Sequence, residues 1–240
     1  MTWGIALVAS AARGLCRPTR RTTADLTRNF YTRSKYTPRR AVLYVPGNDR
    51  HKIENVAKLK VDCAVLDCED GVAANRKICY KLQVHLQQYN LSVKVNLILY
   101  IESAQGLINL REICSKGIDK SALGSFQLDG IVFGSDDYIA DIGATRTKDA
   151  SELIYARQKI VTVCKAFRLQ AIDLVDIDYK DLDGLREQAV AGARMGFTGK
   201  QVIHPNQIPV VQDAFSPSPE MIEWATELIR AFDEQQESGQ

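Results

Sequence analysis

Leu128-Asp-Gly-Ile-Val-Phe-Gly134 runs directly into Ser135-Asp-Asp137. The apolar part is short and β-branched, and it ends at a glycine followed by acids. That is the pattern of a strand buried on both faces of a parallel sheet, with polar residues where it emerges. The same pattern recurs on either side. Arg40-Ala-Val-Leu-Tyr-Val-Pro46, Val61-Asp-Cys-Ala-Val-Leu-Asp67 and Val95-Asn-Leu-Ile-Leu-Tyr-Ile-Glu102 precede it; Gln170-Ala-Ile-Asp-Leu-Val175 and Lys200-Gln-Val-Ile-His204 follow. Helical stretches lie between the runs. In 149–167, for example, Leu153, Ile154, Ile160, Val161 and Cys164 fall broadly on one side. Alternating strand and helix predicts an α/β fold with right-handed crossovers.

Chemistry collects at the carboxyl ends of these runs: Tyr44, Asp67/Glu69/Asp70, Glu102, Asp136/Asp137, Asp176/Asp178 and His204. A closed barrel would bring all of them to one rim, whereas an open doubly wound sheet would gather only those at its switch point. No GxGxxG follows any of the runs, so nothing supports dinucleotide binding. Carboxylates dominate the rim and would repel one another if left uncompensated. A hard divalent cation with oxygen ligands relieves this, and Mg²⁺ needs only one or two protein carboxylates. Taken singly, an acid such as Asp70 or Asp149 is equally well placed as a helix cap.

The chain has 240 residues and a formal net charge of +2. It is 45% hydrophobic and 25% charged, an ordinary globular composition. No uncharged apolar run is long enough to predict a membrane span. The first forty residues differ from the rest: eight Arg, Lys35 and a single acid, Asp25, with frequent Ser and Thr. An Arg-rich, hydroxyl-rich, acid-poor start is the signature of a mitochondrial transit peptide, here assigned to 1–37, with Arg28-Asn-Phe-Tyr31 resembling a matrix-protease cleavage site. The same charges could instead form a nucleic-acid-binding tail, but no reader fold follows them. Beyond residue 40 acids outnumber bases, so no basic field for nucleic acid remains. The six Cys form no CxxC pair, and with three His no zinc spacing arises. Reduced, buried thiols are expected.

Five segments carry a family resemblance: Tyr44-Val-Pro-Gly-Asn-Asp49, Leu66-Asp-Cys-Glu-Asp-Gly-Val72, Ile101-Glu-Ser-Ala-Gln-Gly106, Phe133-Gly-Ser-Asp-Asp137 and Gly196-Phe-Thr-Gly-Lys-Gln-Val-Ile-His-Pro-Asn-Gln207. Together they resemble the citrate lyase beta subunit/malyl-CoA lyase (HpcH/HpaI aldolase) family. The resemblance implies a TIM-type (β/α) barrel over 38–240 and a matrix enzyme that associates as a homotrimer. It also implies Mg²⁺-dependent cleavage of 3-hydroxyacyl-CoA thioesters, citramalyl-CoA giving pyruvate and acetyl-CoA, with a malate synthase-like side activity. By position, the metal carboxylates fall on Glu102 and Asp137. Substrate or CoA contacts fall on Tyr44, Ile203 and His204, and a supporting acidic pair on Glu69 and Asp70.

The departures are as informative. The family's third-strand Arg-Val-Asn motif is missing, and the acid-free segment 77–94, which fits either a patch strand or a helix, stands in its place. Six strands are recognisable, not eight, so the barrel is expected to be incomplete. The family's catalytic Asp would lie beyond Gln240, and no residue here takes that role. A lyase is therefore one reading; the other is a truncated, catalytically impaired form that keeps part of the metal and CoA site. Losing two adjacent strands should leave two open edges, unless the ends rejoin as a smaller barrel.

Overall fold

The computed structural model describes residues 5–8, 37–46, 49–56, 58–67, 95–123 and 126–237. Six parallel strands form the sheet: β2 (Ala41–Pro46), β3 (Cys63–Asp67), β4 (Val95–Ile101), β5 (Phe126–Phe133), β6 (Gln170–Asp173) and β7 (Gly199–Val202). Each lies within two residues of a run read from the sequence. A short strand β1 (Ile5–Val8) completes a ring in the order β1-β3-β2-β7-β6-β5-β4. An incomplete TIM-type barrel is thus what the chain forms.

The expectation of two open edges is corrected by β1. It pairs antiparallel with β4, from Ile5↔Leu99 to Val8↔Asn96, and touches β3 at Val8↔Val65. Unpaired edge groups of β3 and β4 would otherwise have no strand partner. The apolar start of the chain supplies the backbone that covers them, although it lies inside 1–37, the range read as a targeting segment. The 77–94 segment, read as a patch strand or a helix, lies outside the described residues.

The helices clothe the ring: α1 (Arg50–Val56), α2 (Ala104–Ile108), α3 (Leu110–Leu123), α4 (Ser135–Ile142), α5 (Ile154–Ala166), α6 (Leu182–Met195), α7 (Gln207–Ala214) and α8 (Pro219–Glu237). Alternation sorts each strand's side chains. On β5, Ile131 and Phe133 face the helical layer and join Leu110, Leu153, Ile160 and Cys164. Val132 faces the interior with Val42, Val65, Ile98 and Ile172. Within the predicted α5 stripe, Leu153, Ile160, Val161 and Cys164 are buried; Ile154 is exposed at the helix start. Helix α6 ends at Gly196, whose φ of 106° places it in the left-handed region while its N–H closes on Ala193 and Gly192 carbonyls.

Two buried charge clusters fix the layers. At the amino-terminal end of the barrel, Arg39 is almost wholly buried and pairs with Asp129. Between sheet and helices, Asp173 on β6 is fully buried and takes Arg157 of α5 through both oxygens, at 3.0 and 2.5 Å, and also accepts the Leu174 N–H at 2.9 Å. Close by, the fully buried Lys200 of β7 donates to the Leu174 carbonyl at 2.8 Å and to Gln188 of α6. Cys63, Cys114 and Cys164 are free, buried thiols as expected; burial pushes the first two up to about 11.

Candidate active site

Several candidate acids at the carboxyl rim are held by nearby side chains and backbone N–H groups. Asp136 pairs with Arg146, whose guanidinium also donates to the Val175 carbonyl at 2.7 Å. Asp176 and Asp178 accept backbone N–H groups from Asp178 and Lys180 in their own loop. Asp149 accepts from Ser151 N and the Thr147 hydroxyl, a cap as its position suggested. Of these, Asp176 and Asp178 line a cavity of about 340 Å³ with Arg146, Lys148, Asp181 and Gln188.

Glu102 and Asp137 are placed differently. Glu102 follows β4 directly, and Asp137 lies in the first turn of α4, directly after β5. The two strands are neighbours, paired through Ile101↔Phe133, and Gly134 N bonds the Ile101 carbonyl at 3.0 Å. The Glu102 side chain lies against Gly134 so closely that a Cβ there would collide with it. The glycine thus lets Glu102 cross to the start of the helix that carries Asp137. That helix end also favours negative charge, through its unpaired N–H groups. Among the described residues no cluster of three or more His, Cys, Asp or Glu is gathered for a metal. A donor set of two carboxylates suits Mg²⁺, which keeps positions for substrate and water. Glu69 and Asp70 lie outside the described residues.

On the opposite side of the rim, Ile203 and His204 follow β7. Their backbone N–H groups both donate to the Gln207 side-chain oxygen, at 2.9 and 3.1 Å. Gln207 is fully buried and in turn donates to the Asp176 carbonyl at 3.0 Å. The His204 ring stacks on Tyr179, centroids 4.8 Å apart, and its Nδ1 accepts Asn206 N at 3.2 Å. A neutral His204 therefore carries its proton on Nε2. Ile203 projects outward, 43% exposed, an apolar patch beside the stacked rings.

Tyr44 reaches the interior from β2 and meets Tyr100 of β4, which the sequence reading did not single out. Burial, with the Glu102 carboxylate as a smaller cause, pushes the Tyr100 phenol well above its ordinary value. Its period-2 position, two residues before Glu102, was the available signal. Gln207 was not singled out either, because it acts across a turn that alternation does not describe.

This geometry defines a class: an incomplete TIM-type barrel with two rim carboxylates suited to a divalent cation. The HpcH/HpaI aldolase/citrate lyase family model matches residues 87–205. The mitochondrial citramalyl-CoA lyase of Homo sapiens is 43% identical over 296 residues, covering 96% of this chain and 87% of that one. The matched span exceeds this chain's own 240 residues, so the relative carries internal residues with no counterpart here. A (3S)-malyl-CoA thioesterase of Cereibacter sphaeroides is 28% identical, covering 85% of this chain and 86% of that one. CitE of Mycobacterium tuberculosis, solved with magnesium, acetoacetate and coenzyme A, shares the fold with a TM-score of 0.61 at 24% identity, covering 81% of this chain and 87% of that one. The chain belongs to the HpcH/HpaI aldolase/citrate lyase family.

Proposed function

We propose that this protein is a Mg²⁺-dependent carbon–carbon lyase of a 3-hydroxyacyl-CoA thioester. In this reading citramalyl-CoA is the substrate, pyruvate and acetyl-CoA are the products, and a malate synthase-like condensation is a side activity. The observation that carries it is Glu102 lying against Gly134 at the start of the helix bearing Asp137. Those two carboxylates would hold the cation. Bound Mg²⁺ would lower the pKa of the substrate hydroxyl and stabilise charge on its oxygen.

The remaining roles belong to the chain's own groups. The buried Tyr44 hydroxyl donates to substrate oxygen, and Ile203 with the His204–Tyr179 stack forms an apolar, aromatic shelf for the CoA arm. By the family resemblance, Glu69 and Asp70 take the role of a supporting acidic pair. As the hydroxyl gives up its proton, the bond between the hydroxyl-bearing carbon and the thioester α-carbon breaks and the oxygen becomes that of the pyruvate ketone. The electron pair passes to the thioester enolate, which takes a proton to give acetyl-CoA. No residue of the chain is assigned that proton transfer.

The relatives are named mitochondrial, which supports a mitochondrial location; if 1–37 is the matrix-targeting segment, Ile5–Val8 closes the ring only until that segment is removed. Helix α8 presents Met221, Ile222, Trp224, Leu228, Ile229 and Phe232 outward, each more than half exposed. Such a contiguous apolar face supports association between copies, a trimer by the family resemblance. Among the described residues no helix is long and apolar enough to cross a membrane.

A second reading is favoured by β1, which fills the ring antiparallel between β3 and β4: a chain that keeps the metal corner but turns over poorly. Mg²⁺-dependent release of acetyl-CoA from citramalyl-CoA, lost in Glu102→Gln, supports the lyase. Thermal stabilisation by Mg²⁺ without acetyl-CoA release supports the impaired form.

A further inference from the structure

The barrel interior holds a pair of polar groups that the carboxylate corner does not use. Tyr44 of β2 and Tyr100 of β4 pack against the interior cluster that contains Val65, Val132 and Ile172. Tyr44 pairs with Val65, while Tyr100, Val132 and Ile172 follow in register across β4, β5 and β6; packing in one interior cluster makes them a tier. The two rings meet edge to face, with centroids 6.2 Å apart and planes at 80°. Both phenol oxygens are buried, and neither has a hydrogen-bond partner among the described residues.

Buried tyrosine hydroxyls ordinarily find a partner, because an orphaned polar group costs stability. Phenylalanine would fill the same volume without that cost, so two orphaned hydroxyls facing one tier call for an explanation. Val65, Val132 and Ile172 beside the two rings are aliphatic. Such a lining suits an acceptor oxygen carried beside a small apolar part. Tyr100 lies two residues before Glu102 at the end of β4, so alternation puts the two on the same side. A small ligand at the Glu102 corner would therefore extend its inner end toward the paired hydroxyls.

We propose that Tyr100, with Tyr44, forms a hydroxyl clamp on an oxygen of a short 2-oxo or 2-hydroxy acid bound at the Glu102 corner; this rests on the metal-site reading given above. Tyr100 is then a substrate-binding residue that selects for a short acid carrying an acceptor oxygen. The aliphatic part of the tier takes a methyl-sized group and excludes a longer chain.

The test is calorimetric titration of pyruvate, in Mg²⁺, into the full chain and into Tyr100→Phe, with melting curves on both. Tyr100→Phe should weaken pyruvate binding about five- to tenfold, the loss expected for one hydrogen bond. It should leave Mg²⁺ binding unchanged and the melting temperature unchanged or higher, which a loss of folding would not do. Tyr155→Phe, which alters an exposed ring on α5, should bind pyruvate like the unaltered chain. Equal pyruvate affinity in Tyr100→Phe and the unaltered chain would overturn the clamp and leave the carboxylate corner standing. An equal loss in Tyr155→Phe would overturn it as nonspecific. If the unaltered chain binds Mg²⁺ but not pyruvate, the clamp alone falls; if it binds neither, the metal-site reading falls with it.

Discussion

Asp173 and Glu102 are carboxylates on the same barrel with opposite fates. Asp173 points out of the barrel into the helical layer, fully buried, and its oxygens are matched by Arg157 and the Leu174 N–H. Glu102 sits half-buried at the rim, laid over a glycine toward the amino terminus of α4. The first arrangement saturates a charge with fixed protein donors and so holds sheet and helices in register. The second lays an acid at the rim beside the helix that carries Asp137, the corner proposed above to hold a cation. The difference teaches that residue type alone does not mark a site: the direction of the side chain from its strand decides whether an acid is structural or available for binding.

The largest effect should come from breaking the structural site. Arg157→Ala leaves Asp173 buried without its cation, and the expected loss is about 3–5 kcal/mol in urea denaturation. A loss below about 1 kcal/mol would mean that the pair does not hold the layers. Next comes the glycine under Glu102. Gly134→Ala should cost about 1–3 kcal/mol, because the added methyl must displace the Glu102 side chain, and it should also blunt any response to Mg²⁺. Stability lost with the Mg²⁺ response intact would separate Glu102 from the metal.

Glu102→Gln tests the rim more gently. Its stability without cation should change little. In the unaltered chain, Mg²⁺ at a hundred times its dissociation constant should add about 2.7 kcal/mol by mass action, visible as a rise in melting temperature. The same rise in Glu102→Gln would remove Glu102 from the metal site.

The smallest effect concerns pH. Burial lowers Lys200 to about 8 from an ordinary 10.5, with Asp173 and Asp176 opposing the shift and Arg157 and Arg146 adding to it. Between those values the unfolded chain holds the proton that the folded chain has released. The Lys200 contribution to stability should therefore rise from about pH 8 to 10.5 and stay flat below. Lys200→Met should remove that slope from melting temperatures measured across this window. A slope that survives would assign it to other groups.

Much of the fold was legible because parallel strands buried on both faces leave continuous apolar runs, whose ends mark the rim. All six parallel strands were found this way, and Glu102 and Asp137 were placed by the residues that follow β4 and β5. Three features were not legible. The closure by Ile5–Val8 depends on backbone edges left open far along the chain, and residues 1–37 carry a composition that reads as targeting. The Asp136–Arg146 pair, which removes one candidate acid, joins the first turn of α4 to the segment that follows the helix, an approach no local pattern encodes. Gln207, read only as the end of a motif, holds the N–H groups of Ile203 and His204 through a turn.

By itself the sequence determined the strand–helix alternation and the acidic rim, because hydrophobic period and strand-end residues are local properties; the family, and with it the missing pair of strands, was implied by the resemblance of five motifs. The tertiary structure alone decided which acids are neutralised, that Tyr44 and Tyr100 share one tier, and that the ring closes antiparallel. Those outcomes depend on the direction of side chains and backbone groups across strands distant in sequence, and only packing the barrel fixes that direction.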